Sequence, residues 1–272
     1  MTQQQPARLS KETERIARYY DDAAAAYREL WAPILEPAGV RLLRDLPLRD
    51  ARQVVDIGTG VGSLLPHIRR AAPNARIVGV DGSAGMIALA PTGFELLVGD
   101  VLDLPLPTGA FDVAVVAFML FHLMDPIAAL REIRRVVTAG GTIGVTTWGE
   151  APSFGADDVW DQELEAHGAP PDSAPSSRAR LDTPEKLGGI LEAAGWRVVS
   201  MHVEPWRHPM TVDEIVALRT RMGAPARRLG QLDAPIRDAC VRSARRRLLE
   251  LDDDALMDQD EVIYATATPH PE

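Results

Sequence analysis

The sequence predicts an α/β protein built on a parallel β-sheet, and three observations support this prediction. Short apolar runs alternate with helical patterns from Arg52 onward, which is typical of repeated βαβ units. One apolar run ends in an acidic residue and a glycine-rich turn, Asp56-Ile57-Gly58-Thr59-Gly60-Val61-Gly62. With 46% hydrophobic and 25% charged residues in a chain of 272, the composition is that of a protein able to bury a large core.

The N-terminal part is predicted to be helical. In residues 10–30, apolar side chains recur at helical spacing. They are Ile16, Tyr19, Tyr20, Ala23 and Tyr27. Pro33 and Pro37 are then expected to break the chain before a short helix over 39–46.

The central part supplies the sheet. Strands are predicted at 53–57, 76–80, 94–98, 111–117 and 141–148. Between the last two, Asp125 is expected to cap a helix whose first residue is Pro126 and which ends at Gly140.

The pattern loosens after Trp148. Residues 149–179 are rich in Pro, Gly, Ser and acidic residues, which predicts a loop with one helix near 157–167. Thr183-Pro184 is expected to begin a helix that Gly195 ends, followed by a sixth strand over 196–203. Thr211 to Glu214 forms a capping box and begins a helical insertion running to about Met257, before a last strand over 261–267.

Charge and hydropathy exclude several classes of protein. A net charge of −10 and a pI near 5.1 argue against a nucleic-acid partner. The longest stretch without Asp, Glu, Lys or Arg, 136–149, is too short for a membrane span. The N-terminus has no apolar run behind a basic start, so a cytoplasmic protein is expected. The single cysteine, Cys240, can form no internal disulfide and is expected to be a buried small residue.

The glycine-rich turn is the first chemical signal. Its glycines permit positive φ and remove Cβ atoms, so that a ligand can approach the backbone at the start of the next helix. A dinucleotide site would need the spacing Gly-x-Gly-x-x-Gly. That spacing requires glycine at position 63, which is Ser63.

The spacing Gly-x-Gly-x-Gly, with an acidic residue two positions before the first glycine, resembles the class I S-adenosyl-L-methionine-dependent methyltransferases. Further motifs follow in the family's order: Asp81 after the second strand, Gly99-Asp100-Val101 after the third, 111–116 with a loop ending in His122, and 136–142 with its glycine turn. The resemblance is to the small-molecule branch, methyltransferase types 11 and 25, which are UbiE-like. It implies a Rossmann-like, doubly wound seven-stranded sheet with the last strand antiparallel and a helical cover.

The resemblance also implies a cofactor site for S-adenosyl-L-methionine, with S-adenosyl-L-homocysteine as product. The implied residues are Tyr20, Asp56, Gly58, Thr59, Gly60, Gly62, Asp81, Gly82, Ser83, Met86, Gly99, Asp100, Val101, Ala117 and Phe118. The glycines would line the methionine and ribose, Asp81 would bind the ribose hydroxyls, and Asp100 would lie near the adenine amine. Structural alternatives remain: Asp56 as a loop acceptor, Asp81 as a helix cap, Asp100 as a turn residue and Met86 as a core residue.

His122 is the candidate general base, because it follows the fourth strand at the carboxyl edge of the sheet. A hydrogen-bonded loop histidine is an equally good interpretation. Candidate substrate-binding residues are Tyr27, Phe121, Trp148 and Trp206. No metal site is expected, since the other histidines lack ligand spacing with Cys, Asp or Glu.

The arginines of the second insertion form a cluster. Residues 205–250 hold ten arginines against five acids. A solvated helix face that offsets the acidic run 250–261 is the preferred interpretation. The alternative is a lid that binds an anionic group on the acceptor.

These observations divide the chain by role. The predicted parts are an N-terminal helical cover (1–50), the cofactor-binding core (51–148), an acidic cover insertion (149–182), a core helix and strand (183–204), an arginine-rich helical insertion (205–258), and the last strand and tail (259–272). The function predicted is methylation of a small-molecule metabolite, without a nucleic-acid or membrane partner; a homodimer is compatible with the sequence. The alternatives are a non-methylating reaction such as cyclisation with the same cofactor, or an inactive partner subunit.

Overall fold

A computed structural model describes residues 9–150, 154–172 and 181–271. Within these residues, seven strands form one sheet in the order β3-β2-β1-β4-β5-β7-β6. The strands are β1 Gln53–Ile57, β2 Arg76–Asp81, β3 Glu95–Val98, β4 Phe111–Ala117, β5 Val137–Trp148, β6 Trp196–Pro209 and β7 Met257–Pro269. The helices are α1 Lys11–Ala26, α2 Ala32–Leu43, α3 Leu65–Ala71, α4 Ala84–Leu89, α5 Pro126–Val136, α6 Gly155–Ala166, α7 Pro184–Ala193, α8 Val212–Arg221, α9 Gly223–Leu229 and α10 Ala234–Leu248.

The sheet confirms the predicted fold class. Strands β1 to β5 pair in parallel, whereas β7 lies antiparallel between β5 and β6. The strand order reverses between β1 and β4, and open α/β sheets bind ligands at such a switch point. The glycine-rich turn follows β1 and therefore lies at this point.

Apolar residues are buried on both faces of the sheet and in the cover. One face packs against α5 and α7, with Leu130 and Leu187 fully buried. The other packs against α2 and α3, where Leu42 and Ile68 are fully buried. A third apolar cluster joins α6, α8 and α10 around Trp160, which is also fully buried. The helices after β5 therefore have their own apolar centre.

The predicted break at the two prolines was wrong. A π-helical turn, Tyr27–Trp31, joins α1 directly to α2, which begins before the expected 39–46 and contains Pro37 in its interior. Pro33 lies in the first turn of α2, where its fixed φ is compatible with the helix. Burial of Leu35 and Leu42 against the sheet offsets the hydrogen bond lost at Pro37.

The predicted helix starts at Pro126 and Val212 agree with the caps that the structure shows, whereas the helix expected to end at Gly140 ends at Val136. Asp125 accepts a hydrogen bond from the Ala128 N–H, and the capping box of Thr211 and Glu214 is complete. Strand β5 begins at Val137 rather than at 141, because Val137 pairs with Phe111 of β4. Part of the loop predicted over 149–179 falls on 151–153 and 173–180, outside the described residues.

Three arginines of the arginine-rich insertion pair with α6, an ion-pair contact that neither interpretation of the cluster included. Nitrogens of the arginines lie 2.6–2.9 Å from carboxylate oxygens of α6. The pairs are Arg219 with Asp157, Arg228 with Asp161, and Arg247 with Glu163. Arg228 is buried. These arginines join the two parts of the cover.

Among the described residues, no helix is long and apolar enough to cross a membrane. The same residues contain no group of three or more His, Cys, Asp or Glu side chains placed to hold a metal ion. Cys240 is buried, and burial raises the pKa of its thiol to about 11. It packs in the apolar centre of the cover.

Candidate functional site

A cavity lies at the carboxyl edge of β1, β2 and β4, and its concave, largely apolar lining is typical of small-molecule sites. Its floor is the glycine-rich turn and the ends of these strands. Its opposite wall is α1, which contributes Thr13, Ile16, Ala17 and Tyr20. The cavity is therefore enclosed between the core and the N-terminal helix.

Two carboxylates fix α1 over this cavity. Asp100 accepts hydrogen bonds from the Ser10 N–H at 2.6 Å and the Thr13 hydroxyl at 2.7 Å. On α1 itself, Asp21 accepts from the Ser83 hydroxyl at 2.6 Å and the Gly85 N–H at 2.8 Å. The loops after β2 and β3 thus hold the helix at two points.

Gly60 leaves space where a side chain would fill the cavity. It adopts φ +56°, and among the residues that the structure describes, a Cβ atom added there would meet only Tyr27, at 3.9 Å. A Cβ on Gly58 would lie 2.5 Å from the Met119 side chain, and one on Gly62 would lie 2.8 Å from Pro91. Packing explains those two glycines, whereas the open space beside Gly60 is suited to a ligand.

Asp81 ends β2 and lines the cavity. Its carboxylate accepts hydrogen bonds from the Gly60 N–H and the Ser83 N–H, both at 2.8 Å. Burial raises the pKa of this carboxyl despite these bonds. The cap of α4 is instead the Ser83 hydroxyl, which accepts from the Met86 N–H. Asp81 therefore joins the glycine-rich turn to the start of α4.

Asp56 lies behind the glycine-rich turn, where a second cavity adjoins the first. It is 2% exposed and accepts a hydrogen bond from the Thr59 hydroxyl at 2.7 Å. Burial, aided by the nearby charge of Asp81, raises the pKa of its carboxyl to about 7. No lysine or arginine among the described residues forms an ion pair with Asp56 or Asp81. The buried carboxylate of Asp56 and the half-buried one of Asp81 lie beside an open cradle. This arrangement suits a ligand that brings a positive charge.

His122 lies in a 3₁₀ turn after β4 and lines the first cavity. Its Nε2 lies 3.0 Å from the Tyr20 hydroxyl, and its ring lies 4.2 Å from that of Phe121, between centroids. Burial lowers the pKa of the imidazole to about 4 and raises the pKa of Tyr20 well above its ordinary value. At neutral pH the pair is a neutral phenol and a neutral imidazole.

Phe118 has a strained backbone beside both cavities. Phe118 adopts a φ of +53°. A positive φ of this kind costs a non-glycine residue roughly 1–2 kcal/mol. Its N–H donates to the Thr146 carbonyl at 2.9 Å, and its ring lies 4.6 Å from Trp148. Trp206 follows at 5.3 Å from Trp148. A row of aromatic rings therefore extends from the cavity into the cover.

Most predicted site residues line one of the two cavities. The first is lined by Tyr20, Tyr27, Gly58, Gly60, Asp81, Gly82, Ser83, Met86, Gly99, Val101, Ala117, Phe118 and His122. Asp56 and Thr59 line the second. Those lining neither are Gly62, Asp100, Phe121, Trp148 and Trp206. Met86 is both a cavity residue and a buried core residue, at 3% exposed.

Sequence reasoning missed the α1 residues Thr13 and Ala17 and the loop residues Met119 and Leu123, which also line the cavity. The α1 pair had a signal: they lie one turn apart on the face that carries Tyr20. Met119 and Leu123 had no such signal, because the sequence of a 3₁₀ turn of apolar residues resembles that of any buried loop.

A family model described as "Methyltransferase domain" matches residues 55–145. The demethylmenaquinone methyltransferase of Corynebacterium kroppenstedtii is 30% identical over 223 residues, covering 74% of this chain and 92% of that protein. The enzyme of the same name from Thermus thermophilus is 36% identical over 116 residues, covering 40% of this chain and 53% of its own length.

Solved structures share the architecture over nearly the whole chain. The [4+2]-cyclase SpnF superimposes with a TM-score of 0.58 at 20% identity, covering 98% of this chain and 99% of the cyclase. At this identity the likeness establishes the fold alone.

Proposed function

Since the chain belongs to the class I S-adenosylmethionine-dependent methyltransferases, in their UbiE-like branch, we propose that it methylates a small, apolar metabolite of a biosynthetic pathway. The observation that carries the proposal is that one cavity is lined both by groups suited to the cofactor and by groups suited to an apolar acceptor. Gly60 and Asp81 supply the cradle and the carboxylate, and Tyr20, Phe118 and His122 supply aromatic walls. The relatives named for demethylmenaquinone support an apolar acceptor.

The residues present fit the cofactor. The open space at Gly60 admits it next to the backbone, and Asp81 offers lone pairs to ribose hydroxyls. Met86 and Val101 would contact its adenine, and Asp56 would provide a negative charge behind the turn. When bound, S-adenosylmethionine supplies a methyl group already activated by the positive charge on sulfur. Asp100 would contribute indirectly, because its carboxylate holds the start of α1 over the site.

The protein would act mainly by orientation and exclusion of water. Helix α1 closes the cavity, and the rings of Tyr27 and Phe118 would present apolar surfaces to a ligand bound in it. Trp148, Trp206 and Phe121 would shape the acceptor end. An acceptor that must lose a proton needs a base, and His122 is neutral and faces the cavity.

Replacing His122 with alanine tests the base. We expect His122→Ala to lower turnover about 100-fold or more, as for the loss of a general base. The affinity for S-adenosylhomocysteine, measured by titration calorimetry, should change less than about threefold, because His122 has no charge to offer at neutral pH. Full turnover in this variant would exclude the role.

Methyl transfer itself is tested with methyl-labelled S-adenosylmethionine and a panel of phenols, hydroquinones and amines. Labelled product supports the proposal. Product without label or cofactor consumption would instead indicate a non-methylating reaction, such as the cyclisation for which SpnF is named. The absence of S-adenosylhomocysteine binding would indicate an inactive partner subunit, against which the open cradle at Gly60 speaks.

A further inference from the structure

The Nε2 atom of His122 is not free to receive a proton directly from an acceptor. The Tyr20 hydroxyl lies 3.0 Å from it, and a phenol is a good donor to a neutral imidazole. When Tyr20 donates, Nε2 is the acceptor nitrogen and Nδ1 carries the hydrogen. The basic nitrogen is then covered by the tyrosine, whose oxygen retains lone pairs.

We propose that Tyr20 is the catalytic residue that meets the acceptor, and that its hydroxyl relays the acceptor's proton to Nε2 of His122. The proposal rests on the proposed methyl transfer and applies to acceptors that lose a proton. Tyr20 and His122 line the same cavity from opposite elements, α1 and the turn after β4. The relay therefore depends on the position of α1 over the core.

The relay balances in atoms and charge. A lone pair of the acceptor atom forms the bond to the methyl carbon, and the electron pair of the broken sulfur–carbon bond stays on sulfur. The acceptor proton passes to the Tyr20 oxygen while the Tyr20 proton passes to Nε2. Tyr20 ends as a neutral phenol and His122 as an imidazolium, so the positive charge lost at sulfur is kept within the cavity. The imidazolium then releases its proton to water when the products leave.

The surroundings keep Tyr20 in the phenol form that a relay needs. Burial is the main cause of its raised pKa, with Tyr27, Tyr19 and Asp81 adding to it. Arg227 is the cation that opposes this rise, but it is bound to Asp172 and lies over the ring of Tyr19. For His122, burial is the cause of the lowered pKa. The imidazole can therefore hold the proton only briefly.

The test compares Tyr20→Phe, His122→Ala and the double variant. Tyr20→Phe removes one oxygen and keeps the ring, so S-adenosylhomocysteine affinity should stay within about threefold of the wild type. Turnover should fall about 100-fold in each single variant. The double variant should fall no further than about twofold below either, because the two residues act as one unit.

Tyr19→Phe is the matched control. Its hydroxyl accepts from the Gly223 N–H at 2.8 Å, away from the cavity, and its turnover should stay within about twofold of the wild type. Wild-type turnover in Tyr20→Phe, or losses that multiply in the double variant, would overturn the relay.

A readout without turnover separates this inference from the proposed function. Nitrogen-15 NMR of the His122 ring in the free protein should show the Nδ1–H form in the wild type and a mixture of both tautomers in Tyr20→Phe. The same mixture in both proteins would refute the hydrogen bond on which the relay depends. Lack of label transfer by a wild type that shows this NMR change would refute the methyl transfer instead.

Discussion

At the scale of single residues, the most informative feature of the site is a buried carboxylate that has no ion-pair partner among the described residues. Asp56 lies at the end of a central strand, 2% exposed, with one hydroxyl as its side-chain partner. A charge buried in this way destabilises the protein unless a ligand neutralises it. Such a residue is better explained by ligand binding than by stability.

Replacing Asp56 with asparagine should stabilise the free protein, and more so at higher pH. The carboxyl has a pKa of about 7 in the folded state and 3.8 in the reference state. The folded state therefore holds a proton that the unfolded state releases between these values, and folding stability falls as pH rises from about 4 to 7. Thermal melts should show a larger gain for Asp56→Asn at pH 8 than at pH 5.

Asp100→Asn is the matched control for this experiment. Burial acts to raise the pKa of Asp100, but hydrogen bonds from Thr13, Leu102 and Ser10 outweigh it and hold the pKa below the ordinary value. Its stabilising effect is therefore complete above about pH 4. Asp100→Asn should lower the melting temperature equally at pH 5 and pH 8. Equal gains for Asp56→Asn at both pH values would contradict the assigned pKa.

Gly60 should tolerate no larger side chain. The space beside its Cα is the cavity itself, and its φ of +56° is strained for other residues. Gly60→Val is expected to reduce S-adenosylhomocysteine binding below detection in titration calorimetry. Gly140→Ala, where an added Cβ meets no described residue within 4 Å, should bind as the wild type does. Retained affinity in Gly60→Val would mean that the ligand approaches elsewhere.

At the scale of elements, α7 shows that a glycine inside a helix and a glycine just after it can have opposite effects on stability. Gly189 lies in the helix interior with nothing within 4 Å of an added Cβ. Gly189→Ala should therefore stabilise the protein by about 0.5–1 kcal/mol in urea unfolding, since alanine restricts the unfolded chain and favours helix. Gly195, just after the helix, has φ +86°, and alanine there should be destabilising. The same sign for both would contradict this explanation.

Helix α1 is the element whose role depends most on its neighbours. As an isolated sequence it is a helix with a tyrosine-rich stripe. In the folded protein it contacts the loops after three strands, through Asp100, Ser83 and His122. Its closure both encloses the cavity and brings Tyr20 to His122.

At the scale of the whole molecule, ligand binding should stabilise core and cover together. A ligand at about 100 times its dissociation constant adds about 2.7 kcal/mol, or roughly 5–11 °C in melting temperature for a chain of this size. S-adenosylhomocysteine should give such a shift in the wild type and a much smaller one in Asp81→Ala. Equal shifts in both proteins would show that the ligand binds outside the cavity that Asp81 lines.

Much of the fold could be predicted from local sequence, for identifiable reasons. The caps at Asp125 and Thr211 are formed by side chains three residues from their partners, so short patterns contain them. The α1–α2 connection was mispredicted because burial of α2 against the sheet outweighs the local effect of Pro37. The contact between the arginine-rich insertion and α6 could not be predicted from local sequence, because Arg247 and Glu163 are 84 residues apart.

The sequence by itself determined the family, the order of strands and helices along the chain, and the loops that carry Gly60, Asp81 and His122, because these depend on periodicity and on motifs within a few residues. Only the tertiary structure decided which strands are neighbours, that α1 closes the cavity, and that Tyr20 lies 3.0 Å from His122, 102 residues away in the chain. These contacts join distant segments, and their energies come from burial and hydrogen bonding in the folded state, which no local pattern records.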